Sequence, residues 1–478
     1  MTDLMHPVGG SSSVDAMVAA AWAAIDADYL RQLVAQMVST PSPTGDEAAL
    51  ASLLVDELVD AGLRAHVQRI DDRQANAVGL LPGTGGGADL LLYAPIDTLT
   101  VGTPAEDVPQ VGPELRPDMR PQARIEGDRV IGLGASNPKG HGAAVVAAVR
   151  AIARAGLELP GSIVVGLGAG GMPTNSRSAV DRENTGQGNG CSFMLEQGIW
   201  ADYAILAKPG WKVSWEEVGL CWFTVKVHGL YNYVGSRARL PYRNAVVDAA
   251  RLIVELDPWF AEYSARQTSG LVSPQGQIAS VRGGWERSAS ICPEVCEFTV
   301  DLRISPRLSP AQARREFGAA LEKAAARVGV HAEWEMSLSI PGSHTDPESW
   351  VVRSLVWAWE QATGERHVVD DVSRLTSGAT DGNILRNRGI EMARIGMPRV
   401  SDETGAEVDF AMGMNAVSVT NLVALTRVLV AAAIDTCARG LDSLDEVRRG
   451  RPQTDDRPVA PTSVTTPFAA PVQMEDHR

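Results

Sequence analysis

The chain has 478 residues, a length that predicts two domains rather than one hydrophobic core. Hydrophobic residues make up 45% and charged residues 21%, as in ordinary soluble globular proteins. The net charge is −15 and no run of Lys and Arg stands out, which argues against a nucleic-acid or membrane partner.

Both ends of the chain have compositions that predict disorder. Residues 1–13 are rich in Gly and Ser, and residues 449–478 are rich in Pro, Thr and charge. No basic segment followed by an apolar run opens the sequence, so we expect no signal peptide. The cysteines are scattered and odd in number, which favours reduced thiols in the cytoplasm, and they are Cys191, Cys221, Cys292, Cys296 and Cys437.

Helical patterns alternate with buried strands in the first part of the chain. An Ala-rich helix is predicted over residues 14–37, and a second helix ends near residue 61. A glycine-rich loop at 132–140 leads into a helix rich in Ala and Val at 141–155. Apolar runs predict strands buried on both faces at 89–96, 161–168 and 202–207. This alternation predicts an α/β fold with a mostly parallel sheet.

The pattern changes near residue 217. Residues 221–228 alternate between apolar and polar, as a strand with one solvated face does. The order that follows is β-α-β-β-α-β, which predicts a ferredoxin-like α+β layer. We therefore predict a catalytic-type α/β domain over residues 14–216 and 340–448, interrupted by an inserted domain over residues 217–339.

Short motifs follow one another in a fixed order along the α/β domain. They are Ala94-Pro95-Ile96-Asp97, Gly132-Leu-Gly-Ala-Ser-Asn137-Pro-Lys139-Gly140, Gly170-Gly171-Met172, Asp202-Tyr-Ala-Ile-Leu-Ala-Lys208-Pro209 and Met412-Gly-Met-Asn415. Their order and spacing resemble the zinc aminoacylase/carboxypeptidase family, which includes acetylornithine deacetylase, succinyl-diaminopimelate desuccinylase and glutamate carboxypeptidase. The resemblance covers residues 28–440 and implies the two-domain fold just described.

In that family these motifs hold two zinc ions, and the resemblance implies a substitution at each ligand. Pro95 stands in the position of a histidine ligand, and Asn137 in that of the aspartate that bridges both metals. Gly171 and Met172 stand where the family has its general base and a glutamate ligand, and Lys208 where it has another acid. Replacing these four acids changes the formal charge of the site by about +5, and a more positive site would repel a pair of zinc ions.

The last histidine ligand of the family corresponds to Met412. Zinc affinity depends on several thiolate, imidazole or carboxylate ligands acting together. Because the resemblance leaves none of these ligands in place, we expect no metal and no cofactor.

Several polar residues of the family's cleft are nevertheless present. Asp97 corresponds to the aspartate that orients a ligand, and Thr380 and Asp381 lie in a loop resembling the family's substrate loop. Tyr233 stands where a histidine steadies the oxyanion in the partner subunit's site, and Asn244 opens a helix of the inserted domain. We therefore predict catalytic roles for Lys208, Asp381, Tyr233 and Asp97, and substrate-binding roles for Asn137, Lys139, His141, Asn244 and Thr380.

Each of these predictions has a structural alternative. A desolvated Lys208 could be a base, a nucleophile or a fixed charge for a substrate carboxylate, or it could fill space. Lys139 could hold the loop, and His141 could cap the next helix. Without a metal, Asp97 and Asp381 could act as general base or bind nearby backbone groups.

Two functional hypotheses follow. The first is a metal-independent hydrolase or lyase that acts on the C–N bond of a small amino-acid-like or anionic substrate. The second is a pseudoenzyme that keeps the fold as a binding or scaffold protein. In both cases the resemblance implies a homodimer formed through the inserted domain, and a small-molecule ligand.

Overall fold

The computed structural model describes residues 12–174, 186–369, 376–400 and 414–440. The predicted disorder of residues 449–478 and of residues 1–11 lies outside these ranges, as does Met412. At the amino-terminal end the first helix begins at Ser12, within the segment predicted to be disordered.

The secondary structure of the described residues is as follows. The helices are α1 (Ser12–Ala23), α2 (Ala27–Ser39), α3 (Ala48–Asp60), α4 (Pro104–Asp107), α5 (Lys139–Arg154), α6 (Asn189–Glu196), α7 (Ala245–Gln267), α8 (Pro310–Val328), α9 (Trp350–Thr363), α10 (Gly382–Asn387) and α11 (Val419–Cys437). The strands are β1 (Arg64–Arg69), β2 (Ala75–Leu81), β3 (Leu90–Pro95), β4 (Arg124–Glu126), β5 (Arg129–Ile131), β6 (Ile163–Gly168), β7 (Tyr203–Ala207), β8 (Glu216–Glu217), β9 (Gly219–His228), β10 (Asn232–Tyr233), β11 (Gly276–Gly283), β12 (Ile291–Cys292), β13 (Val295–Ile304), β14 (Ala332–Ile340), β15 (Ser343–His344), β16 (Glu391–Ile395) and β17 (Ala416–Ser418).

The single helix predicted over residues 14–37 is two helices, α1 and α2. The chain leaves the helical conformation at Asp26, whose side chain accepts hydrogen bonds from the backbone N–H groups of Asp28 and Tyr29, both at 3.0 Å. This N-cap satisfies amides that a continuous helix would have bonded internally, so a new helix begins after it.

A six-stranded sheet forms the centre of the larger domain, with the order β1-β2-β6-β3-β7-β16. Four neighbouring strands run parallel, namely β6, β3, β7 and β16. Toward one edge of the sheet, β2 is antiparallel to β6 and β1 is antiparallel to β2. Every residue of β3, β6 and β7 is buried, because helices cover both faces. The prediction of a mostly parallel α/β sheet is therefore confirmed.

Alternate residues of β3 enter different hydrophobic cores on the two faces of the sheet. Leu90 and Leu92 pack with helices α2, α5, α9 and α11, and Leu91 and Tyr93 pack with α6 and α10. Helix α11 is long and apolar enough to span a membrane, but most of it is buried against α5 and α9. It therefore has the position of a core helix.

A second sheet has the order β11-β13-β9-β14 and is antiparallel throughout. Helices α7 and α8 pack against it, so the chain order of these elements is β-α-β-β-α-β. Its hydrophobic core is separate from that of the larger sheet and contains Phe223 stacked on Phe317, with ring centroids 4.1 Å apart. We refer to residues 219–340 as the inserted layer.

Candidate functional site

The carboxyl ends of three parallel strands lie next to one another and bring the sequence motifs together. Asp97 follows β3, Gly170 and Gly171 follow β6, and Lys208 follows β7 directly. Loops at this end of a parallel sheet are where α/β proteins usually bind ligands. Asp381, at the start of α10, joins this group through its contacts with the strands.

Lys208 lies at the centre of the group and is buried. Its Nζ donates a hydrogen bond to Oδ1 of Asn137 at 3.1 Å. Burial lowers the pKa of Lys208, and the nearby carboxylates of Asp97, Asp381 and Glu217 oppose that shift. These carboxylates balance the ammonium charge within the protein. The two positions that the resemblance assigns to metal-binding acids are thus bonded to each other.

Asp97 holds the turn that follows β6. Its Oδ1 accepts from the backbone N–H of Gly171 at 2.8 Å, and its Oδ2 accepts from that of Met172 at 2.9 Å. The Thr44 hydroxyl also donates to Oδ2, at 2.7 Å. The side chain is completely buried, and both of its oxygens accept hydrogen bonds. These contacts favour the alternative in which Asp97 binds backbone groups.

Asp381 pairs with a buried tyrosine that the sequence analysis did not identify. The Tyr93 hydroxyl donates to Oδ2 of Asp381 at 2.8 Å. Burial raises the pKa of Asp381 to about 7, although the Tyr93 hydrogen bond and the Lys208 charge both act to lower it. Asp381 therefore changes its protonation near neutral pH, as a general acid or base requires. Tyr93 was missed because it lies within an unbroken apolar strand.

Glu47 is a second carboxyl group that sequence reasoning missed. Its Oε1 accepts from the backbone N–H groups of Gly45 and Gly170, at 2.9 and 3.0 Å. Burial and then the charge of Asp97 raise its pKa to about 8. In the sequence, acids near residue 47 are typical of a helix start, where carboxylates match the helix dipole. In the structure Glu47 is the N-cap of α3 without a side-chain cap bond, and it contacts the β6 turn instead.

A buried ion network supports the loop that carries Asp381. Glu217 forms ion pairs with Arg386 and Arg394, each with an N–O distance of 3.2 Å. The hydroxyl of Thr380 donates to Oε2 of Glu217 at 2.7 Å, and it accepts from the Gly382 N–H at 3.1 Å. Thr380, a predicted substrate-binding residue, thus already positions its own loop. Sequence reasoning missed the network because its members are far apart in the chain.

Lys139 and His141 occupy the first turn of α5, yet their side chains have different partners. Nζ of Lys139 donates to the carbonyl oxygens of Met37 and Thr40, at 2.7 and 2.9 Å, and burial lowers its pKa to about 7. These bonds fasten α5 to the end of α2, which favours the structural alternative for Lys139. Nδ1 of His141 lies 2.8 Å from the carbonyl oxygen of Ser136.

Two predicted site residues lie in the inserted layer. Oδ1 of Asn244 accepts from the N–H groups of Val246 and Val247, at 3.0 and 3.3 Å, so Asn244 is the N-cap of α7. Tyr233 lies on β10 and is 56% exposed. Within the described part of this single chain, the structure does not join either side chain to Lys208 or Asp381 by a hydrogen bond.

A narrow cleft separates the larger domain from the inserted layer. It has a volume of about 10 Å³, room for about one water molecule. A larger ligand therefore requires the cleft to widen. Its lining includes Gly171, Pro173, Leu220, Ile340, Thr380 and Asp381.

The residues that the resemblance assigns to the metal positions do not fit a pair of zinc ions. Pro95 has no donor atom in its side chain, and Asn137 is bonded to an ammonium group. A Cβ on Gly171 would lie 2.5 Å from Cβ of Pro95 and 2.9 Å from Oδ2 of Asp381, which leaves no room for an acidic side chain. Within the four described ranges, no three His, Cys, Asp or Glu residues are placed to hold a metal ion.

Solved structures with a similar fold include several peptidases, together with an amidase of the hydantoinase/carbamoylase family. No protein-family model matches the sequence. Human carnosine dipeptidase 1 has a TM-score of 0.64 at 12% identity, with 90% of this chain and 100% of that chain covered. An M20 family metallo-carboxypeptidase from Sulfolobus solfataricus has a TM-score of 0.61 at 15% identity, with coverages of 85% and 98%. Aminopeptidase PepT from Bacillus cereus has a TM-score of 0.59 at 17% identity, with coverages of 86% and 99%. At these identities the likeness is one of fold.

Proposed function

We propose that this chain, whose fold is that of the M20 metallopeptidases, hydrolyses the C–N bond of a small amino-acid-like or anionic substrate without a metal. The observation that carries this proposal is the pair formed by Lys208 and Asp381. Both side chains are buried at the carboxyl ends of the parallel strands, and Asp381 also lines the cleft. In the proposed reaction they supply a hydrogen-bond donor and a titratable carboxyl group to one bound molecule.

The two residues have complementary roles in the proposed reaction. The Lys208 ammonium donates a hydrogen bond to the substrate carbonyl oxygen and stabilises the negative charge that develops there. Asp381, as the carboxylate, takes a proton from a water molecule as the water oxygen attacks the carbonyl carbon. Asp381 then gives that proton to the leaving nitrogen as the C–N bond breaks. The products are a carboxylic acid and an amine.

A second candidate is a binding protein without catalysis. The observations in its favour are that nearby carboxylates balance the Lys208 charge, and that the cleft holds about one water molecule. In that case the buried ion network would serve to fix the position of the loop at Thr380.

We also propose a cytoplasmic homodimer that associates through the inserted layer. The largest exposed apolar side chains concentrate there, including Tyr231 at 65% and Val254 at 73% exposure. Val246, Val247 and Val254 share one open face of α7. Replacing Val254 by Asp should shift the protein from dimer to monomer in sedimentation equilibrium. A monomeric wild-type protein would contradict this part of the proposal.

The proposed cytoplasmic location agrees with the state of the cysteines. All five thiols are free and buried, as expected of a protein in a reducing compartment.

The proposed hydrolase activity is tested by measuring the turnover of N-acyl amino acids and related amides, with and without a chelator. Lys208→Ala should lower kcat by about 100- to 1,000-fold, the loss expected for one donor to the developing oxyanion. Asp381→Asn should also abolish turnover, whereas Lys323→Ala, on the exposed face of α8, should not. Binding without turnover supports the second candidate. Turnover that a chelator abolishes would contradict both candidates.

A further inference from the structure

Lys208 and His141 are both fixed by the glycine-rich loop at 132–140. Lys208 donates a hydrogen bond to the side chain of Asn137. The ring of His141 is hydrogen-bonded to the carbonyl of Ser136, the residue before Asn137. The backbone N–H groups of Ser136 and Asn137 both donate to the Met414 carbonyl, at 3.0 and 3.1 Å. Adjacent, anchored residues thus hold both side chains, and the Lys208 charge lies close enough to act on the His141 ring.

His141 presents a hydrogen-bond acceptor that has no partner. The carbonyl of Ser136 can only accept, so Nδ1 of His141 carries the hydrogen. Burial and then the nearby Lys208 charge lower the pKa of His141 to about 3, so the ring is neutral. Nε2 therefore carries a lone pair, and it is buried without a hydrogen-bond partner among the described residues. Buried acceptors in native proteins normally have a partner, so Nε2 is suited to accept a hydrogen bond from a ligand or a water molecule.

Lys208 and Asn137 carry hydrogen-bond donors close to His141. A lysine can only donate, so Oδ1 of Asn137 must face it and the Asn137 amide NH₂ points elsewhere. The ammonium has three N–H groups, and the described residues account for one of them. Both residues are 6% exposed. Neither lines the narrow cleft, so the inference requires that the cleft widen toward them when a ligand binds.

We infer that His141 Nε2 accepts an N–H group of the ligand while Lys208 donates to the neighbouring carbonyl oxygen, so that the buried end of the site selects a neutral carboxamide over a carboxylate. A carboxamide offers one acceptor and one donor, which match Lys208 and His141. A carboxylate offers acceptors alone, and one of them would face the lone pair of Nε2. Sites built to hydrogen-bond a substrate N–H discriminate strongly against analogues that lack it.

This inference rests on the proposed function for the position of the ligand, and it makes His141 a specificity-determining residue. Hydrolysis of an amide would place a carboxylate product against Nε2, so the product should leave readily. The anionic substrate predicted from the sequence would then carry its charge outside the buried end of the site.

The test compares acetamide with acetate as probes of the full-length protein. The chain has eight histidines, and ¹⁵N labelling of histidine reports the hydrogen bonding of each ring nitrogen. Acetamide should move the Nε2 resonance of His141 and bind at least about tenfold more tightly than acetate, a difference of about 1.4 kcal/mol. Equal or tighter binding of acetate, or a His141 resonance that acetamide leaves unmoved, would overturn the inference.

Matched variants separate this inference from the catalytic proposal. His141→Phe should abolish the preference for acetamide, His141→Gln should keep part of it because glutamine retains an acceptor, and His344→Phe on the exposed strand β15 should keep all of it. A preference for acetamide without turnover of any amide would leave the inference standing and refute the hydrolase. Turnover that depends on Lys208, with the acetamide preference intact in His141→Phe, would refute the inference alone.

Discussion

Replacing Gly171 by alanine tests whether the general-base position of the family has been closed. A Cβ at this position would lie 2.5 Å from Cβ of Pro95, 2.9 Å from Oδ2 of Asp381 and 3.1 Å from Oδ1 of Asp97. Carbon atoms in contact are normally 3.5–4.0 Å apart, so the first overlap is about 1 Å. Overpacking of this kind costs about 1–3 kcal/mol. We therefore expect Gly171→Ala to lower the free energy of unfolding by that amount.

The assay is urea unfolding followed by tryptophan fluorescence, with Gly378→Ala as the matched control. The nearest atom to a Cβ on Gly378 is 3.7 Å away, so that variant should lie within about 0.5 kcal/mol of the wild type. Gly171→Glu should be less stable than Gly171→Ala, since it adds a third carboxylate beside Asp97 and Asp381. Equal stability of Gly171→Ala and Gly378→Ala would refute the steric argument, because it would mean that Pro95 and Asp381 move aside freely.

Three further predictions concern the buried polar groups. Lys139→Met should lower the free energy of unfolding by about 2–3 kcal/mol, because the carbonyls of Met37 and Thr40 lose their hydrogen-bond donor. An unchanged midpoint of urea unfolding would contradict this prediction. The folded pKa of Asp381, about 7, lies above the ordinary value of 3.8, so the folded state binds a proton more tightly than the unfolded state. Its contribution to stability should therefore fall as pH rises from about 4 to about 7, and Asp381→Asn should remove this dependence from urea midpoints measured across that range. Tyr93→Phe should raise the pKa of Asp381 further, since the lost hydrogen bond stabilises the carboxylate, and carboxyl infrared titration that shows a lower pKa would contradict this.

The central strands could be predicted from the sequence because burial on both faces leaves a simple signal. The apolar runs at 89–96, 161–168 and 202–207 correspond to β3, β6 and β7 within two residues at each end. The antiparallel pair β1 and β2 was not predicted. The edge strand β1 is partly exposed and lacks a continuous apolar run. Strand β2 is mostly buried, but Asn76 and Gly79 interrupt its apolar run.

The positions of the site residues were predictable to a lesser degree, because partner choice depends on the tertiary structure. Lys139 and Lys208 give the same signal in the sequence, a lysine at a motif position. In the structure one bonds to carbonyls at the end of α2, and the other bonds to Asn137. Glu217 gave no signal because its ion-pair partners are over 100 residues away in the chain. The contact of Glu47 with the turn after β6 was missed for the same reason, since Gly170 lies 123 residues further along the chain.

The zinc content of the protein, measured after incubation with excess zinc and removal of unbound metal, distinguishes a metal-free site from a di-zinc site. Pro95, Gly171 and the bond between Lys208 and Asn137 leave no set of ligands at the positions that the resemblance assigns to the metals. We expect far less than one zinc ion per chain by mass spectrometric metal analysis, and activity toward amides that a chelator leaves unchanged. About two tightly bound zinc ions per chain would contradict this expectation.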